Sequence, residues 1–269
     1  GLVAADPDIE RMLLRNLTSG LSRRLRLTNV TTVAALERQV EFERTRAIMG
    51  RFVVFLAFMM VSYTFLLKFA ADLLPANVSP SAITIPITFA YGAALYDLMR
   101  RSGVPFRFFG LTLHNLRPVL RDALTWTAAT CALATLFKLG LIWWTPSFAD
   151  QRLFNLSGVL DPQTTQADLQ LSLMLAVVYA AVAPLQEFIV RAGLQTSLQR
   201  CLIGPSAPLR AIVVSNALFA SAHLHLSVSF AFIAFLPGLL WGALFARQRN
   251  LVGVSVSHVL CGWFGFFVL

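Results

Sequence analysis

Apolar and polar positions divide the chain into two regimes. From Ile9 to about Val40 the apolar residues recur at helical spacing, with Leu17, Leu21 and Leu25 on one stripe and Val33, Leu36 and Val40 continuing it. This predicts an amphipathic helix, broken near Thr28 to Thr32. After Arg51 the apolar residues no longer alternate with charges but run on. Seven spans are predicted, at 52–74, 82–99, 122–145, 169–192 with a polar extension to Arg200, 208–226, 229–246 and 251–269. Each is long enough, at about 1.5 Å per residue and with some tilt, for a hydrocarbon core of about 30 Å. The expected fold is therefore all-α: a polytopic transmembrane bundle over 51–269, preceded by an amphipathic linker helix over 1–50.

The N-terminal stripe suits a helix packed on its own protein or lying on lipid headgroups. The sharper alternative is a dimerising or signalling helix, which implies a homodimer through this arm. The opening GLVAADPDIERMLLRNL puts acidic residues first and has no continuous apolar core, unlike a secretory signal. It begins with Gly1 instead of Met, so a preceding segment is expected.

Composition sharpens this picture. Only 13% of residues are charged, against about 25% in a soluble domain. The formal net charge of +9 sits beside hydrophobic segments, which points to anionic headgroups and the positive-inside rule and away from nucleic acid. Arg100, Arg101, Arg107, Arg117 and Arg121 share one loop region, Arg200 and Arg210 flank another, and Arg247 and Arg249 mark a third. The opposite loops hold Asp72, Asp150, Asp161 and Asp168 with only Arg152. The N-terminus is accordingly expected in the cytoplasm and the C-terminus outside. Cys131, Cys201 and Cys261 lack metal-ligand spacing and are expected to be free, buried thiols.

Charged groups at membrane depth cost roughly 2.5–3.5 kcal/mol on insertion scales, so those present need a reason. Glu187 and Arg191 lie one turn apart, His223 ends NALFASAH, and His258 sits in VSVSHVLCGWF. Taken singly, the first two suit an ion pair that glues helices, and each histidine suits a satisfied hydrogen-bonding role. Counted from the arginine-flanked ends, however, Glu187 and His223 lie about 20 Å deep and His258 about 12 Å deep. Three helices then carry ionisable groups towards one region, which predicts a shared polar cavity lined by Glu187, Arg191, His223 and His258.

These residues stand in an order that resembles the CPBP (CAAX-protease and bacteriocin-processing) family of intramembrane endopeptidases. That family carries Glu-Glu-x-x-x-Arg on one helix, Phe-x-x-x-His on the next, and a later His-x-x-x-Asn or Asp. Here the matching stretches are Gln186-Glu187-Phe188-Ile189-Val190-Arg191, then Phe219-Ala220-Ser221-Ala222-His223, then His258-Val259-Leu260-Cys261-Gly262. The flanks AAVAPLQEFIVRAGLQTSLQR and FLPGLLWGALFARQRNLVGVSVSHVL also match, HVLCGWFGF looks most like the CAAX prenyl protease branch, and the resemblance covers roughly residues 105–269. It implies a membrane-embedded peptidase, in a bacterial inner membrane, that acts on a peptide or lipidated protein tail. The water is activated without a metal or cofactor, although His223, His258 and Glu187 together form a conceivable metal set. Catalytic positions carried over are Gln186, Glu187, Arg191, His223 and His258, with Phe219 and Gly262 contacting substrate. In the N-terminal arm, PDIERMLLRNLTSGLSRRLRLTN resembles the last helix of a cyclic-nucleotide-binding domain, without its phosphate-binding cassette.

Two positions depart from the pattern. The resemblance implies a glutamate base where this chain has Gln186, and an oxyanion-stabilising Asn where it has Gly262. Gln186 is explained by natural loss of activity, by an engineered knock-out, or by Glu187 having taken over. The last is disfavoured, because neighbouring residues point about 100° apart on a helix. The reading is thus an endopeptidase fold with impaired or absent hydrolysis. Its rivals are a pseudo-protease that senses or binds, and, with less support, a transporter.

Overall fold

The computed structural model describes residues 7–75, 80–154 and 166–269. Asp161, assigned above to an outer loop, and the side chain of Asp168 lie outside the described residues, as does the opening hexapeptide. Among the described residues the regular structure is entirely helical, as the periodicity predicts. The chain divides into two compact units, Gly1–Ile48 and Met49–Leu269.

The first unit is helical from Pro7 onwards, as the start of helix α1 (Pro7–Leu73). The break expected near Thr28 to Thr32 does not occur. Thr31 Oγ1 lies 3.0 Å from the Leu27 carbonyl and 2.9 Å from that of Thr28, so its hydroxyl is satisfied against the preceding turn and the helix continues. Leu17, Leu21, Leu25, Val33, Leu36 and Val40 are all exposed, so the unit itself gives this stripe no packing partner.

The second unit comprises the rest of α1 and then α2 (Pro80–Arg101), α3 (Leu116–Trp144) and α4 (Gln166–Glu187). α4 runs through a π-helical stretch, Phe188–Gln195, into α5 (Thr196–Cys201). Then come α6 (Ala207–Ser221), α7 (Val228–Gln248) and α8 (Leu251–Phe267). Caps set the last two starts: Ser227 Oγ accepts from the Phe230 amide and Asn250 Oδ1 from the Val252 amide. α8 packs against α3 and α4, and α6 against α7.

This unit is apolar outside and polar within. Val54, Phe58, Phe65, Leu133, Phe137, Val177, Phe232 and Leu236 are exposed, whereas Glu187, Arg191, Gln195, Asn216, Ser257 and His258 are buried. A soluble protein distributes its residues the other way, so these are the surfaces of an integral membrane protein. Among the described residues five helices are long and apolar enough to cross a bilayer. Of the seven predicted spans, α6 and α8 are shorter, at 15 and 17 residues.

The arginine-flanked loops meet at one end of this unit, as their charge predicts. Arg249 Nη1 donates to Gln199 Oε1 at 2.6 Å and Nη2 to the Phe108 carbonyl at 3.2 Å. Asn250 Nδ2 donates to the Thr112 carbonyl at 3.1 Å, and the Arg200 guanidinium lies 4.7 Å from the Phe108 ring centroid. Burial, and then the like charge of Arg200, draw the Arg249 pKa below its ordinary value. Gly110 is the tight point of this junction. Its φ is +81°, its carbonyl accepts from the Leu251 amide at 2.9 Å, and an added Cβ would lie 2.7 Å from the buried Phe245 ring. Gly110→Ala is therefore expected to cost about 1–3 kcal/mol in a detergent unfolding titration, since overpacking and a left-handed backbone both oppose it. An unchanged midpoint would show that the junction yields.

Candidate active site

Glu187 closes α4, and Arg191 lies in the π-helical stretch that follows. Both side chains are 0% exposed. Arg191 Nε donates to Glu187 Oε2 at 2.9 Å, while His258 Nδ1 lies 2.8 Å from Glu187 Oε1. Arg191 Nη1 donates to Gln195 Oε1 at 3.3 Å, and Nη2 to the Gly238 carbonyl at 2.9 Å and to Asn216 Oδ1 at 3.4 Å. Gln195 and Asn216 are held in turn by donating to the Gly242 carbonyl at 2.8 Å and the Phe235 carbonyl at 2.7 Å. Glycines on α7 make the room: a Cβ at Gly238 would fall 1.9 Å from Asn216 Oδ1, and one at Gly242 would fall 3.2 Å from both Arg191 Nη1 and Gln195 Oε1. The buried charge is thus paired and hydrogen-bonded, the condition under which burial is tolerated. Inserted residues of the π type are common where helices carry function.

The two histidines are fixed in the same tautomer. A carbonyl oxygen only accepts, so His223 Nδ1, 2.8 Å from the Phe219 carbonyl, carries the hydrogen. The carboxylate of Glu187 likewise takes the Nδ1 hydrogen of His258. In its neutral form each imidazole then offers Nε2 as its acceptor. His258 is further clamped by Trp241, whose ring stacks on it with centroids 3.9 Å apart and planes 20° from parallel. The Trp241 indole donates to Ser257 Oγ at 3.2 Å, which is also bonded to Thr127 Oγ1 at 2.8 Å.

Phe219, assigned to substrate contact by the resemblance, is 4% exposed and lies beside both imidazoles. Its ring centroid lies 4.7 Å from that of His223 and 5.9 Å from that of His258. The histidines accordingly sit within about one helix diameter of each other, roughly 10–12 Å. Of the four residues expected to line a shared cavity, Glu187 and Arg191 are fully enclosed by protein, His258 is 4% exposed and His223 is half-buried. Glu187 orients His258 from behind.

Gln186 is half-buried. It lies seven residues after Tyr179 on α4, which puts both on one stripe of the helix. That stripe faces α8: the Tyr179 ring packs edge-on to His258 at 6.0 Å and to Phe266 at 5.4 Å. It also covers Gly262, where an added Cβ would lie 2.0 Å from Tyr179 Oη. Gly262 is therefore not an empty position, since its side-chain space is filled from α4. Tyr179, Gln195, Asn216 and Trp241 were not singled out from the sequence. Tyr179 shares the Gln186 stripe and Gln195 follows Arg191 by one turn, which are signals the sequence contains; nothing local marks Trp241 or Asn216.

Cys131 and Cys261, 130 positions apart, come close together, and all three cysteines are partly buried rather than fully buried as expected. Among the described residues no three His, Cys, Asp or Glu side chains are grouped to hold a metal ion. An open apolar depression of about 480 Å³ is lined by Leu111–Leu113, Pro184 and the first turns of α8.

Residues 168–264 match the family model described as Type II CAAX prenyl endopeptidase Rce1-like. The matched segment contains Gln186, Glu187, Arg191, Phe219, His223, His258 and Gly262, so the motif resemblance to the CAAX-protease group is shown over this stretch. No curated protein and no solved structure matches the chain.

Proposed function

We propose that this integral membrane protein, with a CAAX-endopeptidase fold over residues 168–264, holds a peptide or lipidated protein tail against His223 and His258 but hydrolyses it poorly. The observation that carries this reading is the engagement of Glu187. One of its oxygens is bonded to Arg191 and the other to His258, and its side chain is wholly buried. It is therefore not available to take a proton from a water in place of a base at position 186. Gln186, the side chain on the face towards α8, is an amide and has no basicity near neutral pH. The two imidazoles remain as acceptors, so the site keeps the means to accept hydrogen bonds from a peptide N–H or a water while lacking a carboxylate base. The apolar depression beside Pro184 suits the tail of such a substrate.

The test pairs two readouts on a library of membrane peptides: retention of intact peptide by the unmodified chain, and cleavage by its Gln186→Glu form. Retention without cleavage by the first, and cleavage by the second that is lost on His223→Ala, is the expected pattern. Absence of both retention and cleavage would reject a peptidase site and favour the transporter reading.

The orientation we propose puts the junction of the arginine-flanked loops, and with it the N-terminus, in the cytoplasm of a bacterium. In a chain with its three cysteines replaced by serine, Arg107→Cys is expected to label only from the cytoplasmic side and Gln151→Cys only from the outside. Labelling of both from one side would overturn the topology.

A further inference from the structure

Tyr179 is the polar group near the site that the reading above does not use. Its ring is held in place by the edge contacts with His258 and Phe266. Its hydroxyl stands over Gly262, one turn beyond His258 on α8, where a Cβ on Gly262 would be only 2.0 Å away. Its hydrogen-bond partner is the His258 carbonyl at 3.5 Å, well beyond the usual distance for an O–H donor. A phenol in apolar surroundings ordinarily finds a closer acceptor. Here a preorganised donor is left nearly unspent, half-buried, on the stripe that also carries Gln186.

We infer that the Tyr179 hydroxyl donates a hydrogen bond to the carbonyl oxygen of a peptide bound between α4 and α8, and so supplies the donor that Gly262 lacks. This rests on the site being a peptide-hydrolysing centre. In a chain with glutamate at 186, the water oxygen bonds to the carbonyl carbon and its proton passes to that carboxylate. The carbonyl π pair moves onto oxygen, where the Tyr179 hydroxyl stabilises the charge without giving up its proton. Collapse then breaks the C–N bond, and the departing nitrogen takes the proton from the carboxylic acid. A donor directed at an oxyanion is worth about 10²–10³-fold in rate.

The experiment uses the full chain in lipid nanodiscs. In the Gln186→Glu background, adding Tyr179→Phe is expected to lower kcat by about a hundredfold while leaving KM and the unfolding midpoint nearly unchanged, because the phenyl ring keeps the packing. Gly262→Ala, whose Cβ would displace the ring together with its hydroxyl, is expected to lower kcat at least as much. A second readout needs no turnover: retention of membrane-peptide phosphonamidates, which mimic the tetrahedral oxyanion, by the unmodified chain and by its Tyr179→Phe form. Weaker retention by Tyr179→Phe supports the inference even if Gln186→Glu proves inactive. Full activity and equal retention with Tyr179→Phe would overturn it and leave the peptidase reading standing. If Gln186→Glu is inactive and neither chain retains the phosphonamidates, both readings fail together.

Discussion

Arg191→Met is expected to lower the stability of the bundle by about 3–5 kcal/mol, the cost of leaving one member of a buried ion pair uncompensated. The geometry indicates a large effect. Arg191 is completely buried and donates to Glu187, Gln195, Asn216 and the Gly238 carbonyl, which lie on α4, the π-helical stretch, α6 and α7. Methionine fills part of the volume but supplies none of these hydrogens, so a carboxylate and three other acceptors lose a donor in a place water does not reach. Adding Glu187→Gln removes the stranded charge, so Glu187→Gln/Arg191→Met is expected to unfold later than Arg191→Met alone. Denaturing-detergent titrations of the unmodified chain and both variants check these statements. A loss below about 1 kcal/mol for Arg191→Met, the range of an exposed ion pair, would mean that the guanidinium is hydrated.

Much of this architecture is legible in the sequence, for identifiable reasons. Apolar runs without charges have one interpretation once they reach bilayer length, and the predicted bounds of the α7 and α8 spans fall within two residues of the observed helices. The pairing of Glu187 with Arg191 follows from their spacing. Other features depend on contacts that no local pattern encodes. The break expected at Thr28 to Thr32 gave threonine hydroxyls too much weight, since Thr31 bonds back to its own helix. The placing of Phe219 beside two imidazoles, one of them on another helix, is a contact of this kind. The bond from His258 to Glu187 joins residues 71 positions apart, and stacking by Trp241 depends on how α7 meets α8. Gly262 reads as a loss when considered alone. Only the packing of α4 on α8 shows that Tyr179 occupies its space.

Gln186→Glu is the other change with a large expected effect, in activity instead of stability. General-base catalysis contributes about 10²–10⁴-fold, and the seven-residue spacing from Tyr179 puts this position on the helix stripe whose Tyr179 ring packs on His258. Glu187 supplies none of that contribution, being engaged by Arg191 and His258. With Tyr179 over Gly262, restoration of the base alone is expected to suffice. Gly262→Asn adds nothing and is expected to reduce the gain, because its Cβ would collide with the phenol. The direct measurement is single-turnover cleavage of one membrane peptide in lipid nanodiscs by the unmodified chain, Gln186→Glu, and Gln186→Glu/His223→Ala. Cleavage at least about a hundredfold faster with Gln186→Glu, and lost again with His223→Ala, is the predicted result. Rapid cleavage by the unmodified chain, with no gain from Gln186→Glu, would contradict the account.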